Sequence, residues 1–175
     1  MPAPSVFKEF VNPVFVETGS YMGDGIQQAL DAGFKRVISI ELSDKYYEIC
    51  RSRFSGDSRV SLVKGDSALV LFDAIKDVKE RITFWLDGHH SCGDTALGVH
   101  WAPLIQELDA IKMHSRNDHT ILIDDMRCWQ EPNPVHGFYE PDVISALKRI
   151  REDYLLRKID SPVAPKDVLV AEPPR

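Results

Sequence analysis

No stretch of this chain approaches the ~18 consecutive apolar residues that a membrane-spanning helix needs. The opening, Met-Pro-Ala-Pro-Ser-Val-Phe-Lys-Glu-Phe, carries no apolar core of the kind a secretory leader has. Cysteine is scarce: Cys50, Cys92 and Cys128 are the three in 175 residues. An odd count at irregular spacing makes no disulfide framework and fits a reducing compartment, so the cytoplasm is expected. Basic residues are outnumbered, 21 Lys and Arg against 27 Asp and Glu, for a formal charge of −6. Nothing supplies the basic stripe that binding a phosphate backbone requires, so neither nucleic acid nor membrane is expected as a partner. Repeats and low-complexity tracts are absent too. What remains is an ordinary globular composition, 43% hydrophobic and 27% charged, on a length that suits one domain over 1–175.

Short apolar runs alternate with amphipathic stretches almost to the end. Val14–Glu17, Arg36–Glu41, Val60–Lys64, Ile82–Asp87 and Thr120–Asp124 are rich in Val, Ile, Leu and Phe and read as buried parallel strands. Helices are expected near 25–33, 43–54, 67–79 and 101–115, the second capped by Ser43 and the fourth showing Leu104, Ile105, Leu108 and Ile111 on one face. That order is the β-α-β-α signature of an open, doubly wound α/β sheet. A helix from Pro141 to about Glu152 follows, then strands at Asp153–Ile159 and Val168–Ala171 joined by a Pro-containing turn, which predicts a terminal hairpin.

The densest stretch is Val14-Phe-Val-Glu-Thr-Gly-Ser-Tyr-Met-Gly-Asp-Gly25. A strand running through a glycine loop into a helix N-terminus places a nucleotide-like ligand at the carboxyl edge of the sheet. The spacing of Gly19, Gly23 and Gly25 after Glu17 is E-x-G-x-x-x-G-x-G. The dinucleotide fingerprint wants G-x-G-x-x-G instead, which disfavours a nicotinamide dehydrogenase. Glu41 closes the second apolar run, placed to accept ribose hydroxyls, or else to sit as a first-turn helix acid ahead of Ser43. Gly65-Asp66-Ser67 follows the third, where Asp66 is also a good N-cap.

These features together resemble the class I S-adenosylmethionine (SAM) methyltransferases, over roughly residues 12–172. The resemblance implies a Rossmann-like sheet of seven strands, five parallel plus a C-terminal antiparallel hairpin, with helices on both faces. It implies that the loop with Gly19, Ser20, Gly23 and Gly25 wraps the methionine part of SAM and that Glu17 faces its charged end. Glu41 would take the ribose, with Asp66 and the adjoining Ser67 at the adenine.

A second dense stretch, Phe84-Trp-Leu-Asp87-Gly-His89-His90-Ser-Cys92-Gly-Asp94-Thr95, follows the fourth run, and Ile121-Leu-Ile-Asp124-Asp125 ends the fifth. Carboxylates from adjacent strand ends can converge on one hard cation. Asp87, Asp124 and Asp125 match the acids of the metal-dependent O-methyltransferases of the catechol and macrocin types. That resemblance implies a divalent metal, Mg²⁺ first, although His89 stands where macrocin-like enzymes carry a further acid and imidazole favours a transition metal. Asp87, ending the fourth run, is expected beside the Gly19 loop and so near the methyl donor. His89 and His90 are candidate bases for an acceptor hydroxyl, or simply loop hydrogen-bonders, with His89 preferred. Cys92 and Cys128 near these histidines make at best a weak zinc set. Trp101, Trp129, Phe138 and Tyr139 flank the loops 88–100 and 126–140 and either stack on an acceptor or pin those loops. About a dozen residues precede the first strand, too few for a helical cap, so a small-molecule acceptor is expected to meet those loops or a second subunit of a homodimer. A metal-independent enzyme with a histidine base, and a SAM-binding protein without turnover, stand as alternatives.

Overall fold

The computed structural model describes residues 6–90 and 95–174. Seven strands form one sheet: β1 Val14–Thr18, β2 Arg36–Glu41, β3 Val60–Lys64, β4 Ile82–Leu86, β5 Thr120–Ile123, β6 Leu155–Ile159 and β7 Val168–Glu172. Their spatial order is β3-β2-β1-β4-β5-β7-β6. The first five pair in parallel, while β7 runs antiparallel to both β5 and β6. The helices are α1 Asp24–Ala32, α2 Asp44–Arg53, α3 Ser67–Ile75, α4 Leu104–Lys112 and α5 Glu140–Ile150.

Alternate residues of the central strands feed two cores. Val14, Val16, Ile38, Phe84 and Ile121 meet the faces of α3, α4 and α5. Phe15, Val37, Trp85 and Leu122 point the other way, onto α1, α2 and the 3₁₀ turn Val6–Phe10, where Phe7 lies edge-on to both Phe15 and Trp85. With both faces covered, β1, β4 and β5 are buried at every position. The expected doubly wound sheet of seven strands is therefore the one observed.

Several details differ from expectation. β3 is not a buried strand: Ser61 and Lys64 are half-buried or exposed along with the rest of it, because it forms one edge of the sheet. α1 has the expected length, while α2, α3 and α4 are shorter than expected. Trp101 and Pro103 lie ahead of α4, and α3 stops at Ile75. Ser43 precedes α2 but its hydroxyl makes no cap; its N–H instead donates to Glu41 Oε1 at 2.7 Å.

The chain reverses its winding direction between β1 and β4, and a crevice opens beyond their carboxyl ends. At the opposite end of the sheet, His119 is wholly buried. Its Nδ1 accepts the Ile82 N–H at 3.1 Å and its Nε2 lies 2.9 Å from His114 Nδ1. His114 Nε2 in turn reaches the carbonyls of Ile75 and Val78. This pair, spaced like a metal motif, is spent on locking α3 and α4 to the sheet.

Candidate active site

The crevice is a cleft of about 460 Å³. Its walls include Glu17, Gly19, Ser20, Gly25, Glu41, Asp66 and Ser67, every donor-side residue expected from the sequence except Gly23. Gly23 instead precedes α1 and closes the loop through its N–H to the Ser20 carbonyl at 2.8 Å. Two glycines have steric reasons to be there. Gly19 has φ +83°, and a Cβ on it would come to 2.5 Å from the Asp87 carbonyl oxygen, so the β1 and β4 turns can touch only at glycine. A Cβ on Gly25 would collide with the Glu17 carboxyl.

Glu17 is 1% exposed, and Ser39 Oγ donates to its Oε1 at 2.6 Å. Ser39 also contacts the Ser20 hydroxyl. Burial pushes the Glu17 carboxyl up to about 8, with the charges of Asp87 and Glu41 adding to the effect and the Ser39 bond opposing it. No cation is among the groups that shift it, so a cationic ligand would relieve a real desolvation cost. Glu41 is anchored differently. Its Oε2 accepts the Tyr21 N–H at 2.8 Å and its Oε1 the Ser43 N–H, which fixes the loop after β1 against β2.

Asp66 serves in two ways at once. Its Oδ1 caps α3 through the Ala68 N–H at 3.0 Å, and its Oδ2 accepts the Val99 N–H at 2.7 Å. Residues 95–100 thus cross the cleft as a strap latched on the acid expected at the adenine. Ser67, also in the cleft wall, donates to Glu107 Oε1 at 2.6 Å.

Across the cleft, His89 lies between two carboxylates, Nδ1 at 3.5 Å from Asp87 Oδ1 and Nε2 at 3.1 Å from Asp125 Oδ2. Among the described residues the ligand atoms that gather within 4.8 Å form two sets, Asp87–His89–Asp125 and Asp124–Asp125–Asp167. The expected set of Asp87, Asp124 and Asp125 is neither of these. Asp125 takes a left-handed backbone with φ +57°, which sends consecutive carboxylates different ways. Asp124 Oδ1 is turned back onto the Asp125 N–H at 2.9 Å, and the Asp124 carbonyl accepts the Trp129 indole N–H.

Charge in this half is crowded. Burial pushes Asp87 up to about 7, with the Asp124 charge adding and His89 opposing. Burial and the Asp125 charge push Asp124 up to about 6. Burial alone would also raise Asp125 and lower His89; their mutual hydrogen bond, with Arg127 beside Asp125 and Asp87 beside His89, outweighs it and moves each the other way. Arg127 Nη1 sits 2.5 Å from Asp125 Oδ1 and also pairs with the buried Asp167. Two carboxylates and one imidazole form a reasonable divalent-ion donor set, with the imidazole tilting it toward a transition metal.

His90 is tied into its own loop, and its ring also lines the cleft. Its N–H donates to the Trp101 carbonyl at 2.8 Å, and its Nδ1 meets Thr95 Oγ1 and the Ala96 carbonyl. The ring stands edge-on to Trp101, 4.6 Å away. Cys92 and Asp94 lie outside the described residues, and neither candidate metal set among the described residues contains a cysteine. Trp129 and Phe138 are buried against each other, so they pin the 126–140 loop rather than facing a ligand.

Sequence reasoning missed Ser39, Glu107, Arg127 and Asp167. Two of them had a legible signal. Ser39 is a polar residue inside an otherwise apolar buried strand. Glu107 falls on the stripe of Leu104, Leu108 and Ile111, the face of α4 that is buried. Asp167 and Arg127 meet only because β7 returns beside β5, which no local pattern announces.

No family model matches the chain, and no curated protein matches it in sequence. Solved structures do match. A candidate rRNA methylase from Clostridium thermocellum superposes with a TM-score of 0.65 at 17% identity, covering 97% of this chain and 94% of that one. An O-methyltransferase from Bacillus cereus in complex with SAH gives 0.64 at 15% identity, over 98% of this chain and 78% of the other. The O-methyltransferase TomG from Streptomyces achromogenes, involved in tomaymycin synthesis and solved with SAM, gives 0.62 at 14% identity, again over 98% and 78%. At such identities the shared property is the fold. This chain has the fold of the class I SAM-dependent methyltransferases, and no helix among its described residues is long and apolar enough to cross a membrane.

Proposed function

We propose that the chain acts as one methyltransferase domain over 1–175 and moves the methyl group of SAM to a hydroxyl on a small acceptor. The observation that carries this reading is the row of acids at the carboxyl ends of β1, β2 and β3 (Glu17, Glu41 and Asp66), all lining one cleft at the switch point. Glu17 would face the ammonium and sulfonium charges, Glu41 the ribose, and Asp66 with Ser67 the adenine end. Gly19, Ser20, Gly23 and Gly25 would shape the loop around the methionine part. Because the sulfonium is already a good leaving group, the protein's main task is to hold the acceptor oxygen in line with the methyl carbon. An acidic cleft in a chain of net charge −6 suits a neutral or cationic small molecule better than RNA or an anionic acceptor. The cytoplasm is its proposed setting, and a second copy in a homodimer is a further source of acceptor contacts.

Asp87, His89 and Asp125 would hold a divalent ion, with Asp124 bracing Asp125 through its N–H. When bound, such an ion supplies Lewis acidity and a template for the acceptor oxygen. A metal-independent reading has its own support. His89 already sits between two carboxylates that stabilise its imidazolium, so a neutral His89 could take the acceptor proton as Asp87 holds the ring. Methyl transfer measured with and without exhaustive chelation separates the two. Activity that vanishes on chelation and returns with Mn²⁺ or Mg²⁺ supports the metal site; activity that persists assigns the role to His89.

A further inference from the structure

Glu107 is used by none of the roles above, yet it is 1% exposed and its carboxyl reaches the turns that build the cleft. It projects from α4 to the point where the turns after β1, β3 and β4 converge. Ser67 Oγ, in the first turn of α3, donates to its Oε1 at 2.6 Å. The hydroxyl of Thr18, the last residue of β1, stands beside it and, with Ser67, opposes the rise that burial imposes on the carboxyl. Thr18 Oγ1 in turn accepts the Asp87 N–H at 3.2 Å, which puts one hydroxyl between Glu107 and Asp87. Gly88 is pressed into the same knot. A Cβ there would stand 2.8 Å from Glu107 Oε1 and 3.2 Å from both hydroxyl oxygens. A small cavity of about 10 Å³ is lined jointly by Glu107, Asp87, His89 and Asp124.

The β4 turn is also held by the His90 N–H on the Trp101 carbonyl and by His89 beside Asp87. Asp66 holds the strap and the α3 cap, Glu41 holds the loop after β1, and neither touches the β4 turn. A leucine at 107 would suit the apolar α3–α4 interface better, so packing alone does not account for a carboxyl there.

We propose that Glu107 is a positioning residue of the methyl-transfer site: one buried carboxyl ties the donor loop, the N-terminus of α3 and the Asp87 turn into a single geometry. The proposal rests on the methyltransferase reading. It assigns separate jobs to the two arms. The Ser67 arm sets the adenine end of the donor cleft, and the Thr18 arm sets Asp87. Loss of either arm perturbs one side of the cleft, and loss of Glu107 perturbs both.

The test combines calorimetric titration of SAH with amide hydrogen exchange on Glu107→Ala, Glu107→Gln, Ser67→Ala and Thr18→Val. Glu107→Ala should weaken SAH binding about 10-fold, the scale of leaving a buried hydroxyl unpaired, and speed exchange at the Asp87 amide. Glu107→Gln, which keeps an acceptor oxygen in place, should recover most of both. Ser67→Ala should weaken SAH binding with Asp87 exchange unchanged, and Thr18→Val should do the reverse. General destabilisation cannot produce that split. The single-arm variants also carry the test if Glu107→Ala fails to fold. SAH affinity within twofold of wild type together with unchanged Asp87 exchange in folded Glu107→Ala would overturn the proposal, as would single-arm variants that change both readouts equally. Wild-type protein that binds no SAH overturns the methyltransferase reading instead, and Asp87 exchange in the variants then decides the positioning role alone.

Discussion

The two halves of the cleft handle negative charge in opposite ways. On the β1–β3 side Glu41 and Asp66 stand apart, each satisfied by two backbone N–H donors, and Glu17 is buried with a serine for company. On the β4–β5 side Asp87, Asp124 and Asp125 crowd around His89 and Arg127, and their charges act on one another. In the first arrangement backbone donors hold Glu41 and Asp66, and no cation is among the groups that shift Glu17. The second holds a charge balance that a proton, a metal ion or an acceptor can shift. A site that binds one constant ligand and does chemistry on another needs both kinds of region.

The largest effect should come from the crowded side. Asp87→Asn removes one contact of His89 and one candidate metal ligand. Methyl transfer should fall by about 10²–10⁴-fold, the range for removing an acid–base partner. SAH affinity should change little. Equal losses in both would mean the halves are not separate.

A smaller effect concerns pH and the donor side. Glu17 has its folded value raised to about 8 from 4.5, so the folded protein holds a proton that the unfolded chain releases. The stability from that group is full below about 4.5 and is lost as pH rises toward 8, by at most about 1.4 kcal/mol per pH unit. The ligand-free protein should therefore melt at higher temperature near pH 6.5 than near pH 8. Glu17→Gln should reduce that slope, with Asp87, raised by burial in the same sense, contributing to the remainder. Buried His119 acts in the opposite sense. Burial, with the nearby His114, lowers it to about 4, so its contribution is complete above 6.5 and lost as pH falls toward 4. Thermal melts across pH 4–8 check both arms. A melting temperature that rises steadily from pH 6.5 to 8 in the wild type would contradict the Glu17 assignment.

The smallest effect should be at the strap. Asp66→Asn keeps an oxygen for the α3 cap but loses the charge that holds the Val99 N–H. Hydrogen exchange should quicken at Val99, with a change in SAH affinity of only a few-fold, on the scale of one hydrogen bond at about 1 kcal/mol. No change in Val99 exchange would show that the latch does not hold the strap.

The difference between the halves also explains what was legible beforehand. Strand ends are marked by local patterns, so Glu17, Glu41 and Asp66 could be placed from their position after each apolar run. The exposure of β3 could not, because its edge position depends on the strand order and not on its own residues. On the crowded side, consecutive Asp124 and Asp125 look equivalent in sequence; the left-handed backbone at Asp125 makes them diverge. In sequence, only its spacing from Asp87 favours His89 over His90; the bond from the His90 N–H to the Trp101 carbonyl cannot be read there. Glu107, Arg127 and Asp167 act through contacts across some 40 residues or more, such as Ser67 to Glu107 and Arg127 to Asp167. Only the buried face of α4 hinted at the first of them.

The central claim is that the cleft at the β1–β4 switch point binds SAM, and calorimetric titration of SAH into the wild-type chain and Glu41→Ala tests it most directly. The account predicts one SAH per chain, binding weakened by about 1–3 kcal/mol in Glu41→Ala, and no tighter binding of NAD. An absence of SAH binding, an unchanged affinity in Glu41→Ala, or a preference for NAD would contradict it.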